Sequence, residues 1–122
     1  MSRLIEAAEA GNAKTVEDIL AAGANVNERD ALGCSALFEA VSAGHVHVVD
    51  LLLSRGADAN LAENNGTTPL MEAAASGDLE LIRRLLKAGA RVSARDNSGD
   101  TALEYARAQK QAAVAELLRS SK

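Results

Sequence analysis

Few side chains in this sequence are of the kinds that do chemistry, and fewer are spaced to do it together. The two histidines are His45 and His47. On a helix, residues two apart point about 200° away from each other, because each step turns the chain by about 100°. They cannot face one metal ion from there, so the pair reads as a turn residue followed by a solvent-facing one, with no metal site. The single cysteine, Cys34, is a candidate thiol nucleophile, but such a thiol needs a base beside it and none is adjacent in sequence. It reads as a passive residue at a loop tip. One cysteine allows no internal disulfide, which fits a reducing compartment. The glycines form no phosphate-binding loop, and no nucleophile elbow is present. Asn65-Gly66-Thr67 has the pattern of a glycosylation acceptor, but its composition is that of a turn. The sequence therefore predicts no catalytic residues, no cofactor and no enzyme.

The chemistry that remains is charge. The net charge of −4 is uneven: residues 1–66 carry 4 basic and 10 acidic side chains, hence −6, and residues 67–122 carry 9 and 7, hence +2. An acidic chain without aromatic–basic clusters argues against nucleic acid as the main partner. A basic cluster, Arg83, Arg84, Lys87, Arg91 and Arg95, lies in the second half and is expected to pair with Glu80, Asp96 and solvent. No apolar run approaches a membrane span and no secretory leader is evident, so the expectation is a cytoplasmic protein without a membrane partner.

These residues are placed by a repeat. Gly11, Gly44 and Gly77 are 33 apart, as are Gly23, Gly56 and Gly89, and Gly33, Gly66 and Gly99. Leu4, Leu37, Leu70 and Leu103 keep the same step, and so do Ser2, Ser35, Thr68 and Thr101. Within residues 63–93, Thr68 can cap a helix with Pro69 at its first position. Ser76-Gly77 breaks that helix, Asp78 caps a second with Leu81, Ile82 and Leu85 on its apolar stripe, and Gly89 ends it. The pattern predicts helix, tight turn, helix and a loop that folds back, repeated into a stacked solenoid. One domain of 122 residues holds units at 1–27, 28–60, 61–93 and 94–122, the first and last as end caps. Four units exceed the roughly three that such a stack needs. Thr101 with Glu104 is the one capping box expected, and Lys110 stands where the other units have glycine. Aromatic content of 2% leaves the core to Leu, Ala, Val and Ile.

Residues 63–93, Glu-Asn-Asn-Gly-Thr-Thr-Pro-Leu-Met-Glu-Ala-Ala and then Gly-Asp-Leu-Glu-Leu-Ile-Arg-Arg-Leu-Leu-Lys-Ala-Gly-Ala, resemble the ankyrin repeat family, and the resemblance runs over essentially the whole chain. It implies an all-α solenoid of four helix-turn-helix units joined by β-hairpin-like loops. The histidine that follows Thr-Pro-Leu in the family is replaced throughout, by Ile5, Phe38, Met71 and Glu104. The resemblance also implies a non-enzymatic protein-binding module whose partner lies on a concave face of hairpin tips and first helices. Carried over residue by residue, the candidate contacts are Leu32, Cys34, Asn65, Thr67 and Asp100 at the tips, and Glu6, Glu39, Glu72 and Tyr105 on the helices. Glu6, Glu39 and Glu72 are one step apart with Tyr105 in the fourth place, an acidic row suited to a basic segment. Phe38 and Met71 are expected to pack beneath the hairpins. The polar end caps predict a monomer. The alternative is an engineered or excised ankyrin scaffold with no partner of its own.

Overall fold

The computed structural model describes residues 2–121. Its helices are α1 (Arg3–Glu9), α2 (Ala13–Ala21), α3 (Ala36–Ala43), α4 (Val46–Ser54), α5 (Pro69–Ser76), α6 (Leu79–Lys87), α7 (Ala102–Ala108) and α8 (Ala112–Ser120). Their starts follow from side chains that take up otherwise unpaired backbone donors. Ser2, Ser35 and Thr68 accept from the N–H groups of Ile5, Phe38 and Met71 at 3.2, 3.1 and 3.2 Å. Asn12 and Asp78 do the same for α2 and α6. The expected single capping box is corrected to two reciprocal arrangements. Glu104 accepts from the Thr101 N–H and hydroxyl at 2.8 Å each, and the Met71 sulfur accepts from the Thr68 N–H at 3.3 Å.

Gly44 and Gly77 close α3 and α5 in the left-handed region at φ 79. Lys110 sits in that region too, at φ 58. A residue with a Cβ there is disfavoured by about 1–2 kcal/mol. Each turn lets the second helix fold back on the first, and the pairs then stack in two layers. α1 packs on α3, α3 on α5 and α5 on α7; behind them α2 packs on α4 and α4 on α6. Leu4, Leu37 and Leu70 lie buried in the first layer, and Val16, Val49, Leu52, Ile82 and Leu85 between the layers. Burying a side chain of this size contributes about 1.5–3 kcal/mol. That contribution holds α4 as a helix despite its run of valines, which are weak helix formers. Among the described residues no helix is long and apolar enough to cross a membrane.

The loops between pairs are tight hairpins with almost no strand; one isolated antiparallel bridge joins Arg29 and Ser35. All three are built alike. Asp30, Glu63 and Asp96 each bond their backbone N–H to the carbonyl four residues on, at 3.0, 3.0 and 2.9 Å. Their side chains each accept two backbone N–H groups of their own loop: Leu32 and Cys34, Asn65 and Thr67, Ser98 and Asp100, all within 2.7–2.9 Å. Neighbouring tips are tied without the family histidine. The Asn64 N–H donates to the Leu32 carbonyl and its Nδ2 to that of Ala31, at 2.9 and 3.1 Å. Asn97 repeats this on Asn65 and Asn64.

Candidate functional site

The hairpins and the first-layer helices meet at corners, and the corners differ. In the second pair Glu39 of α3 turns toward the hairpin, where its carboxylate, the Asp30 carboxylate and the Cys34 thiol have ligand atoms within 4.8 Å of one another. The Glu9 carboxylate of α1 also comes within reach of Glu39. Burial first, then the Glu9 carboxylate, pushes the Glu39 carboxyl above its usual range. Burial, and after it the Glu39 and Asp30 carboxylates, push the Cys34 thiol up to about 12. None of the ion pairs among the described residues reaches this group; they are Lys14–Asp18, Arg84–Asp50, Arg84–Glu80 and Arg119–Glu116. The corner is a crowd of negative charge without a cation.

Two repeats further along, Tyr105 occupies the place of Glu39 and Asp96 that of Asp30. The Tyr105 hydroxyl donates to Asp96 Oδ2 and lies 3.2 Å from Thr67 Oγ1. The tyrosine hydrogen bond, backed by loop N–H groups, holds the Asp96 carboxyl below its usual range; burial, then Asp96, raises the Tyr105 phenol. Here the corner is satisfied from within.

The predicted contacts sort accordingly. Glu6, Leu32, Asn65 and Asp100 are exposed, Leu32 at 68%. Glu39, Glu72, Thr67 and Tyr105 are half-buried. Cys34, expected at an exposed tip, is corrected to buried, at 7% exposure, because the chain has already turned inward to the Ser35 cap. A base, Glu39, does stand by it, but a thiol titrating near 12 is a poor nucleophile. Phe38 and Met71 are buried as expected.

His45 uses Nε2 to bond the Glu9 carbonyl at 2.9 Å, joining the first pair to the second. Gln111 repeats the contact on the Ala75 carbonyl two units on. His47 is exposed. In the basic cluster Arg84 pairs with Glu80 as expected, at 2.8 Å, and also with Asp50 of α4 at 2.7 Å. Sequence reasoning missed the Glu9–Glu39–Asp30 group; the signal was Asp30 at the turn position that Glu63 and Asp96 share.

The sequence model of ankyrin repeats (3 copies) matches residues 4–96 and again residues 58–122. The chain belongs to the ankyrin repeat family. Ankyrin repeats are generally protein–protein interaction modules and typically not enzymes. No curated protein matches this ankyrin chain.

Proposed function

We propose that this ankyrin protein binds a basic segment of a protein partner across its first-layer helices and hairpin tips. The observation that carries the reading is Glu39, a half-buried carboxylate near Glu9 and Asp30 that none of the ion pairs among the described residues reaches. A guanidinium or ammonium group from a partner would neutralise that cluster and donate hydrogen bonds to carboxylates already fixed in place. Glu6 and Glu72, at the equivalent places in α1 and α5, extend the acidic row to either side. Leu32, Asn65 and Asp100 offer contacts at the tips. Thr67 and Tyr105, joined to each other, form a fixed end to the groove, with the ring as an aromatic anchor. Cys34 supports the corner from beneath. A preformed surface of this kind limits the ordering cost of association. The chain acts in this reading as a single cytoplasmic domain of four units, monomeric and without catalysis.

The test is capture from a source-cell lysate, native chain against Glu39→Lys/Glu72→Lys. Retention of a protein by the native chain and its loss by the double variant supports the acidic row. Equal retention by both removes the row from the binding surface.

A further inference from the structure

A trough of ≈ 650 Å³ opens on the face of the last helix pair, between the loop at residues 90–95 and α7 and α8. Its floor is apolar: Val92 and Leu103 are half-buried and Leu118 is buried. Arg91, Arg95 and Arg119 line it; Arg95 donates one N–H to the Gly99 carbonyl at 2.7 Å and Arg119 pairs one with the exposed Glu116 at 3.1 Å, so each keeps further donors. Glu104 also lines it, with its carboxylate bonded to Thr101 and facing Arg95.

The same trough exists one unit earlier, and there it is filled. Ala59, Leu70 and Met71, the equivalents of Val92, Leu103 and Glu104, are 3%, 1% and 1% exposed. What covers them includes the chain's own next loop, held by its backbone. Asn60 accepts the Arg91 N–H at 2.8 Å and donates to the Gly89 carbonyl at 3.0 Å. Asn27 accepts the Asp58 N–H at 2.8 Å in the unit before. The next unit thus covers this face, with α7 on α5 and the loop tied on through Asn60. Among the described residues the face of the last unit is uncovered, and it carries three arginines, where the unit before has Asp58 and Ala62 at the places of Arg91 and Arg95 and Leu86 at that of Arg119.

We propose that this trough is a second docking site, for an acidic segment of a protein partner that also carries apolar side chains. Apolar residues of the segment lie on Val92, Leu103 and Leu118, and its carboxylates meet the guanidinium groups, whose paired N–H donors fit a carboxylate two at a time. The site lies apart from the acidic row, selects the opposite charge and does not rest on the reading of that row.

The probe is a short fluorescein-labelled peptide of aspartates with two leucines, and its uncharged serine counterpart, followed by anisotropy at low and at physiological salt. The native chain should bind the acidic peptide at least ~10-fold more tightly than the uncharged one, a gap of about 1.4 kcal/mol. Arg91→Glu/Arg119→Glu should weaken it at least ~10-fold, and Arg55→Glu/Arg83→Glu, the same charge change at exposed residues outside the trough, should leave it unchanged. A circular dichroism melt confirms folding, and Arg91→Gln/Arg119→Gln replaces the first variant should that one fail to fold. Equal affinity of native chain and arginine variant, or no binding by either, overturns the proposal. So does displacement of the peptide by millimolar inorganic phosphate as readily as by excess unlabelled peptide, which makes the trough an anion site only. A solution mass that rises with concentration and falls back in the arginine variant assigns it instead to a second copy of this chain.

Discussion

The corners of the second and fourth helix pairs place three side chains at the same repeat positions and reach opposite results. Asp96, Asp100 and Tyr105 give a carboxylate a hydroxyl to accept from, and the corner closes on itself. Asp30, Cys34 and Glu39 give it a second carboxylate and a thiol that stays protonated, and the corner is left wanting a positive charge. The backbone is common to both: the same hairpin, with the acid side chain accepting the same two N–H groups. The difference teaches that in this stack the repeat sets where a side chain stands, and one substitution at that place decides whether the surface is finished or open.

The largest expected effect breaks the shared backbone. Gly33 and Gly99 hold the same turn position at φ +83 and +88. A Cβ at Gly99 meets nothing, whereas one at Gly33 would stand 2.4 Å from Asn64 Oδ1 and 2.8 Å from its backbone N. Gly99→Ala should cost about 1–2 kcal/mol for the left-handed backbone alone. Gly33→Ala should cost more by at least ~1 kcal/mol, because it also displaces Asn64 from the tips it joins. Urea unfolding of the two variants measures this, and equal midpoints would show that the tips yield freely.

A smaller effect opens the closed corner. Tyr105→Phe removes the donor that lowers the Asp96 carboxyl, so that pKa should rise, read by carboxyl NMR. A depressed carboxylate contributes stability above its unfolded value that is lost as pH falls through its folded one. The variant should therefore melt a few degrees below the native chain at pH 7, and the gap should close in acid. A gap that persists below the lowered Asp96 value, read from the same NMR titration, would assign the loss to packing of the hydroxyl rather than to Asp96.

The smallest effect relieves the open corner. Because the Glu39 carboxyl is raised, the folded chain keeps a proton that the unfolded chain releases, and stability falls as pH rises through that interval. Glu39→Gln should stabilise at pH 7, by less than ~1 kcal/mol for a partly solvated group. The gain should vanish below pH about 4, where glutamate is protonated in both states. Destabilisation at pH 7 would mean that the carboxylate cluster supports the fold instead of straining it.

Much of this was legible before any coordinates. The glycines recurring every 33 residues all lie at positive φ, because each marks a turn that the repeat needs. The leucine and cap series placed the helices to within a residue or two. What could not be read is what crosses between units. Asn64 and Asn97 look like free tip amides, yet each is used to hold the preceding hairpin. His45 looks like a lone turn histidine, yet it reaches back 36 residues to a carbonyl. Cys34 has no base within the local sequence, and only the return of α3 toward its own hairpin sets Glu39 beside it. A periodicity fixes positions within a unit and says nothing of which side chains of two units touch.

Lys110 has a consequence for how the array forms and comes apart. In a linear stack each unit is held only by its neighbours, so a local penalty is felt mainly by the unit that carries it. The left-handed lysine burdens the last pair alone, and among the described residues that pair has a neighbour on one side only. Opening should therefore begin at that end and travel backward, with the amides of α8 exchanging first and those of α3 to α5 last. During synthesis, when the first pairs emerge and stack before the fourth exists, the same asymmetry leaves the Lys110 turn as the last of these four turns to settle.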